Sequence, residues 1–129
     1  MKRIYSTLSA IVLASAVIAF FTPSAFGQGM INNGAKISVS SGTYVTISNG
    51  GFKNNTSGGS DGAITNAGTI TLDGDWENNA TAGSVFGATP TSGTVVLNGA
   101  AQQDIQGTNE TNFYNLTAIG GGTKRLDNI

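Results

Sequence analysis

Three short stretches, Ser41-Gly42-Thr43-Tyr44-Val45-Thr46-Ile47, Ala67-Gly68-Thr69-Ile70-Thr71-Leu72 and Ser92-Gly93-Thr94-Val95-Val96-Leu97, are close copies of one another. Gly42 and Gly68 stand 26 positions apart, and Gly68 and Gly93 stand 25 apart. Two of the copies lead into a second shared signature, Phe52-Lys53-Asn54-Asn55 and Trp76-Glu77-Asn78-Asn79, offset by 24 positions. Self-similarity at a period of roughly 20–50 residues marks stacked repeats, each unit burying its apolar face only against its neighbours. Inside the copies, apolar and hydroxyl residues alternate, as in Val45-Thr46-Ile47 and Ile70-Thr71-Leu72. That is the period of a half-buried strand. The fold class is therefore all-β: a short parallel β-helix, or β-solenoid, of three to four rungs, with the right-handed crossover that parallel strands adopt. An antiparallel sandwich would space its turns at roughly 8–12 residues.

The repeat also predicts register. Val45, Ile70 and Val95 belong in one inward ladder, and Ile47, Leu72 and Leu97 in another, with neighbours about 4.8 Å apart. Phe52 and Trp76 belong side by side. Gly42, Gly68 and Gly93 are expected to turn the chain into each strand, where a positive φ suits glycine. Asn54, Asn55, Asn78 and Asn79 are expected in left-handed turns, with amides that ladder between rungs. Residues 28–35 read as a lead-in and the polar stretch 54–62 as a loop. Asn49-Gly50 and Asp73-Gly74 read as turns. Strands are expected at 103–106 and 111–119.

Residues 1–27 read as a signal peptide ahead of the solenoid at 28–129. Lys2 and Arg3 precede an apolar run from Ala10 to Phe21, then Pro23, then Ala25-Phe26-Gly27 before Gln28. That is the charged, apolar and small-residue order of a cleaved export signal. The protein is thus expected to be exported, extracellular or at the cell surface, with no membrane span after cleavage. The chain has no cysteine, so stacking must supply the stability that disulfides give other exported domains. Residues 28–129 carry four bases and seven acids, a net charge of −3. That balance argues against a nucleic-acid partner.

Histidine and cysteine are both absent, which removes Ser-His-Asp and Cys-His nucleophiles and the usual zinc sites. Carboxylate chemistry remains. Asp73, Asp75 and Glu77 alternate, so on a regular strand they share one face and form a candidate Ca²⁺ site. The competing reading is a solvated turn before a buried Trp76. Otherwise no cofactor is implied. A polysaccharide lyase or glycoside hydrolase with a β-helix fold is the enzymatic alternative. It would use two of these carboxyls at a separation of about 5–9.5 Å, or Lys53 as a base. Trp76 and Tyr114 are candidate sugar-stacking residues if exposed. The five Asn-x-Ser/Thr triplets, at Asn54, Asn55, Asn79, Asn109 and Asn115, are expected by chance in so Asn- and Thr-rich a chain.

Residues 93–116 run from Gly93-Thr94-Val95 through Gly99, Gln103, Ile105, Gly107 and Thr111 to Phe113-Tyr114-Asn115-Leu116. This segment resembles one that recurs in large exported β-solenoid surface proteins of Bacteroidetes type. The resemblance implies an adhesin-like surface module with glycan, matrix or cell-surface protein partners, and transfers no catalytic motif. Such proteins are usually longer. Gly122-Thr123 reads as the Gly-Thr opening of another rung, 29 positions after Gly93. The chain is thus expected to be the N-terminal part of a larger solenoid, with further rungs of its own parent as neighbours. The reading is of a non-catalytic structural or adhesive module.

Overall fold

The computed structural model describes residues 29–127; the expected signal segment lies outside them. The described residues contain strands and turns and no helix. The first rung is β1 (Met30–Asn33), β2 (Lys36–Val39) and β3 (Tyr44–Ile47). The second is β4 (Phe52–Ser57), the short β5 (Ser60–Asp61), β6 (Ala63–Asn66) and β7 (Thr69–Leu72). The third is β8 (Trp76–Asn79) and β9 (Thr94–Leu97), and the fourth is β10 (Gln103–Gly107) and β11 (Asn115–Ala118). β12 (Lys124–Leu126) begins a fifth.

These strands stack into three sheets, β1-β4-β8-β10-β12, β2-β6 and β3-β7-β9-β11. Every pairing between rungs is parallel; only the β4–β5 hairpin is antiparallel. The chain is a β-solenoid of about four turns.

The register follows the repeat. Val45 pairs with Ile70, Ile70 with Val95 and Val95 with Leu116. Ile47, Leu72, Leu97 and Ala118 form the adjacent inward column. Ile70 and Leu72 are fully buried. Phe52 pairs with Trp76, their ring centroids 4.4 Å apart. Ladders of identical or similar side chains arise because equivalent residues of successive rungs sit one strand spacing apart.

Several expectations are corrected. Residues 30–33 are a full strand, not a lead-in. Met30-Ile31-Asn32-Asn33 is a third copy of the Phe52 and Trp76 signature and pairs in register with it. The polar stretch from Asn54 is the end of β4 and a hairpin, rather than a loop. The asparagines lie in extended strand; the one non-glycine with positive φ among the described residues is Asn49. Asn32, Asn54 and Asn78 point inward and are buried. Asn54 Nδ2 donates to Asn78 Oδ1 at 3.2 Å and to the Gly62 carbonyl at 2.9 Å. Outside, Asn55 Nδ2 donates to Asn33 Oδ1 at 2.8 Å. A buried amide is tolerable when its polar atoms find partners; stacking on Asn78 satisfies the Asn54 Nδ2 donor, while Asn54 Oδ1 stays buried without a protein partner.

Gly42 and Gly93 have positive φ, at 76° and 90°, whereas Gly68 does not. A Cβ at Gly68 would strike the carbonyl oxygens of Thr43 and Ser40, so close packing of successive corners requires that glycine. Gly122-Thr123 does open another strand, but that strand is β12 on the first sheet, paired with β10. The fourth-rung counterpart of Thr94 is Asn115. Only Asn115–Ala118 of the stretch 111–119 is strand. All four residues of β11 are exposed, and Leu116, Ile119 and Leu126 are 41 %, 52 % and 67 % exposed.

The second sheet stops at β6. Residues 80–93 replace its third-rung strand with a coil, whose Val85 carbonyl accepts the Ile64 N–H at 2.8 Å. Val85 is fully buried, and Phe86 and Phe113 pack on Trp76 at centroid distances of 5.4 Å each.

Candidate functional surfaces

Strand alternation divides each sheet into an inner and an outer set of side chains. On the first sheet the outer set places Ile31, Lys53, Glu77 and Gln106 in one column across four rungs. This column lines an open groove of about 480 Å³, bordered by the corners at Gly50, Asp73, Asp75 and Gln102. All three predicted carboxylates border it.

The structure does not bring those carboxylates to a common point. Asp73 turns toward the preceding rung, where its Oδ2 and Oδ1 accept the backbone N–H groups of Asn49 and Gly50 at 2.9 and 3.1 Å. Asp75 turns toward the following rung and accepts the Asp104 N–H at 2.8 Å. Glu77 lies between, paired with Lys53 Nζ at 2.8 Å and also accepting from Asn79 Nδ2. Among the described residues, no three carboxylates are grouped to hold a metal ion. The departure from a shared strand face has a simple cause: β8 begins at Trp76, so Asp73 and Asp75 belong to a corner, not to a regular strand.

Partial burial acts to raise the Glu77 carboxyl, but the hydrogen bonds from Lys53 and Asn79 and the Lys53 charge outweigh it and hold the group below its ordinary range. Asp61, on the hairpin, is also held low, first by the Thr56 hydroxyl and then by the Thr81 N–H, with Ala82 N–H and Lys36 adding to the effect. Asp104 on the fourth rung pairs with Arg125 at 3.1 Å. Carboxylates of this surface are thus used to join one rung to the next.

Trp76 does not face the groove. It is fully buried, and its indole Nε1 donates to Thr111 Oγ1 at 3.1 Å. Trp76, a sugar-stacking candidate only if exposed, is removed from that role by its burial, its ring packed by Phe52, Phe86 and Phe113. Tyr114 is 56 % exposed, as the stacking role needs. Sequence reasoning missed Tyr44, the most exposed aromatic among the described residues at 78 %. The strand alternation that turns Val45 and Ile47 inward was the available signal.

Tyr44 belongs to the outer face of the third sheet. Its column continues through Thr69 and Thr94 to Asn115, and the next column is Thr46, Thr71, Val96 and Thr117. This face carries no charged side chain. It is flat, rich in hydroxyls and repeated at the strand spacing, in contrast to the charged column of the first sheet.

No family model, curated protein or solved structure matches this chain.

Proposed function

We propose that this chain is an exported, non-catalytic β-solenoid module of the cell surface, with a structural and adhesive role toward glycans, matrix or surface proteins. The observation that carries this reading is the use made of its carboxylates. Asp61, Asp73, Asp75, Glu77 and Asp104 each bond to groups of another rung or corner. A glycosidase acid needs a raised proton affinity, whereas Glu77 is held low. Lys53, the candidate lyase base, donates to Glu77. The charged, apolar and small-residue order of residues 1–27, read as an export signal, and the resemblance of residues 93–116 to Bacteroidetes-type surface solenoids support the proposal of export. The uncharged outer face of the third sheet, with Tyr44 at one end, suits the apolar faces and hydroxyls of sugar rings.

The test is co-sedimentation of the purified protein with insoluble polysaccharides and extracellular matrix, with product analysis in the same tubes. The expected result is retention without release of reducing ends or unsaturated sugars, and weaker retention for Tyr44→Ala. Release of either product, abolished by Glu77→Gln, would replace this reading with the hydrolase or lyase alternative.

A further inference from the structure

We propose that Asn49-Gly50 is a latent site of spontaneous deamidation, held closed by the Asp73 carboxylate of the neighbouring rung. An asparagine followed by glycine is chemically vulnerable because glycine has no side chain to hinder ring closure. The glycine nitrogen attacks the asparagine Cγ, a new N–Cγ bond forms, and the Cγ–Nδ2 bond breaks to release ammonia with the transferred proton. Water then opens the succinimide at either carbonyl, leaving aspartate or isoaspartate. The net change is amide plus water to acid plus ammonia, and no other reactant is needed.

The attacking nitrogen must first shed its proton. The chain contains three Asn-Gly pairs, Asn33-Gly34, Asn49-Gly50 and Asn98-Gly99. In all three the glycine N–H is already engaged. Gly34 N–H donates to the Asn55 carbonyl at 3.1 Å. Gly99 N–H donates to Oε1 of the fully buried Gln103 at 2.6 Å. Gly50 N–H donates to Asp73 Oδ1 at 3.1 Å, while Asn49 N–H donates to Oδ2 of the same carboxylate. An anion against the N–H opposes loss of its proton and holds the nitrogen's direction, so it blocks both steps of the attack.

The Asn49 latch differs from the other two in its material. Gly34 is held by a main-chain acceptor and Gly99 by a buried side chain, but Gly50 depends on one surface carboxylate 23 positions away. Asn49 is itself exposed and sits at φ 60°. Isoaspartate would add a methylene to the main chain beside Gly50, whose carbonyl accepts the Gly74 N–H at 3.0 Å. Ageing at this position would therefore loosen the corner between β3 and β4 and the rim of the groove.

The experiment ages the full chain at neutral pH and follows isoaspartate by peptide mapping, in the wild type and in Asp73→Ala. Losing a hydrogen bond to a charged acceptor is expected to speed reaction at Asn49 on the order of tenfold, with Asn33 and Asn98 unchanged. If Asp73→Ala does not fold, Asp73→Ser serves, since one short hydroxyl cannot hold both N–H groups and no new Asn-Gly pair is made before Gly74; faster reaction confined to Asn49 is again expected. Reaction at Asn49 at the wild-type rate in the folded variant, or reaction at all three pairs together, would overturn the proposal, because protection would then belong to global folding and not to Asp73.

Discussion

Two sides of this solenoid solve the same packing problem differently. The first and third sheets run through all rungs with fixed register. The second side has only β2 and β6, after which residues 80–93 and 108–114 close the core as coil. Yet Val85 of that coil is as buried as Leu72 and Leu97 of the third sheet. Burial therefore does not require a strand. What differs is how the backbone is satisfied: ladder bonds on the regular sides, and individual side-chain bonds on the other. Thr81 N–H and Ala82 N–H rely on Asp61, and Asn78 Nδ2 caps the Gly83 and Glu110 carbonyls.

The largest expected effect falls where the two sides meet. Trp76 lies in β8 but packs on Phe86 and Phe113 of the coil side. Trp76→Ala should cost about 3–5 kcal/mol, the range for a buried aromatic, read from chemical denaturation. A cost below about 1 kcal/mol would mean that the coil side contributes little to the fold.

Next comes a direct pairwise comparison. Leu72→Ala should cost about 2–5 kcal/mol. Val85→Ala, which removes one carbon fewer, should cost about 2 kcal/mol by transfer alone. If the coil side collapses around the deletion, the cost will stay near that figure, whereas a rigid cavity will raise it; hydrogen exchange can then show whether the change spreads to β7 and β9.

Acid should separate the sides without mutation. Asp61 is held below its ordinary value of 3.8 by bonds from Thr56, Thr81 and Ala82. Its folded pKa is depressed, so its contribution is present above the unfolded pKa and disappears as pH falls through the folded value, below about pH 4. Amides 81–83 should lose exchange protection in that window before those of β7. Asp61→Asn should remove the pH dependence at 81–83. Simultaneous loss everywhere would erase the distinction between the sides.

The smallest effect belongs to the outer column. Lys53 and Glu77 are partly exposed, with side-chain exposures of 42 % and 26 %, and such pairs contribute about 0–1 kcal/mol. A double-mutant cycle with Lys53→Ala and Glu77→Ala should return a coupling in that range. Millimolar Ca²⁺ should leave the melting temperature unchanged, because Asp73 and Asp75 bond to opposite rungs. A rise abolished by Asp75→Asn would restore the calcium reading, since a ligand of the native state must stabilise it.

By itself the sequence determined the repeat, the all-β class and the register of the apolar ladders. Those follow from local alternation and from a period that brings like residues one strand spacing apart, as Val45, Ile70 and Val95 show. Met30-Ile31-Asn32-Asn33 was equally legible as a copy of the Phe52 signature. The tertiary structure alone decided which neighbour each polar group meets. Asp73, Asp75 and Glu77 look alike in sequence, but a corner before Trp76 sends the first two to opposite rungs. The fourth rung could not be placed from Gly122-Thr123, because its 29-position offset from Gly93 suits the period while the chain has already shortened to 21 between Val95 and Leu116. Nor could the coil that buries Val85 be read, since it has no period and is held by contacts from three rungs. Periodic packing is written in the chain; corners and coils are decided by what they fold against.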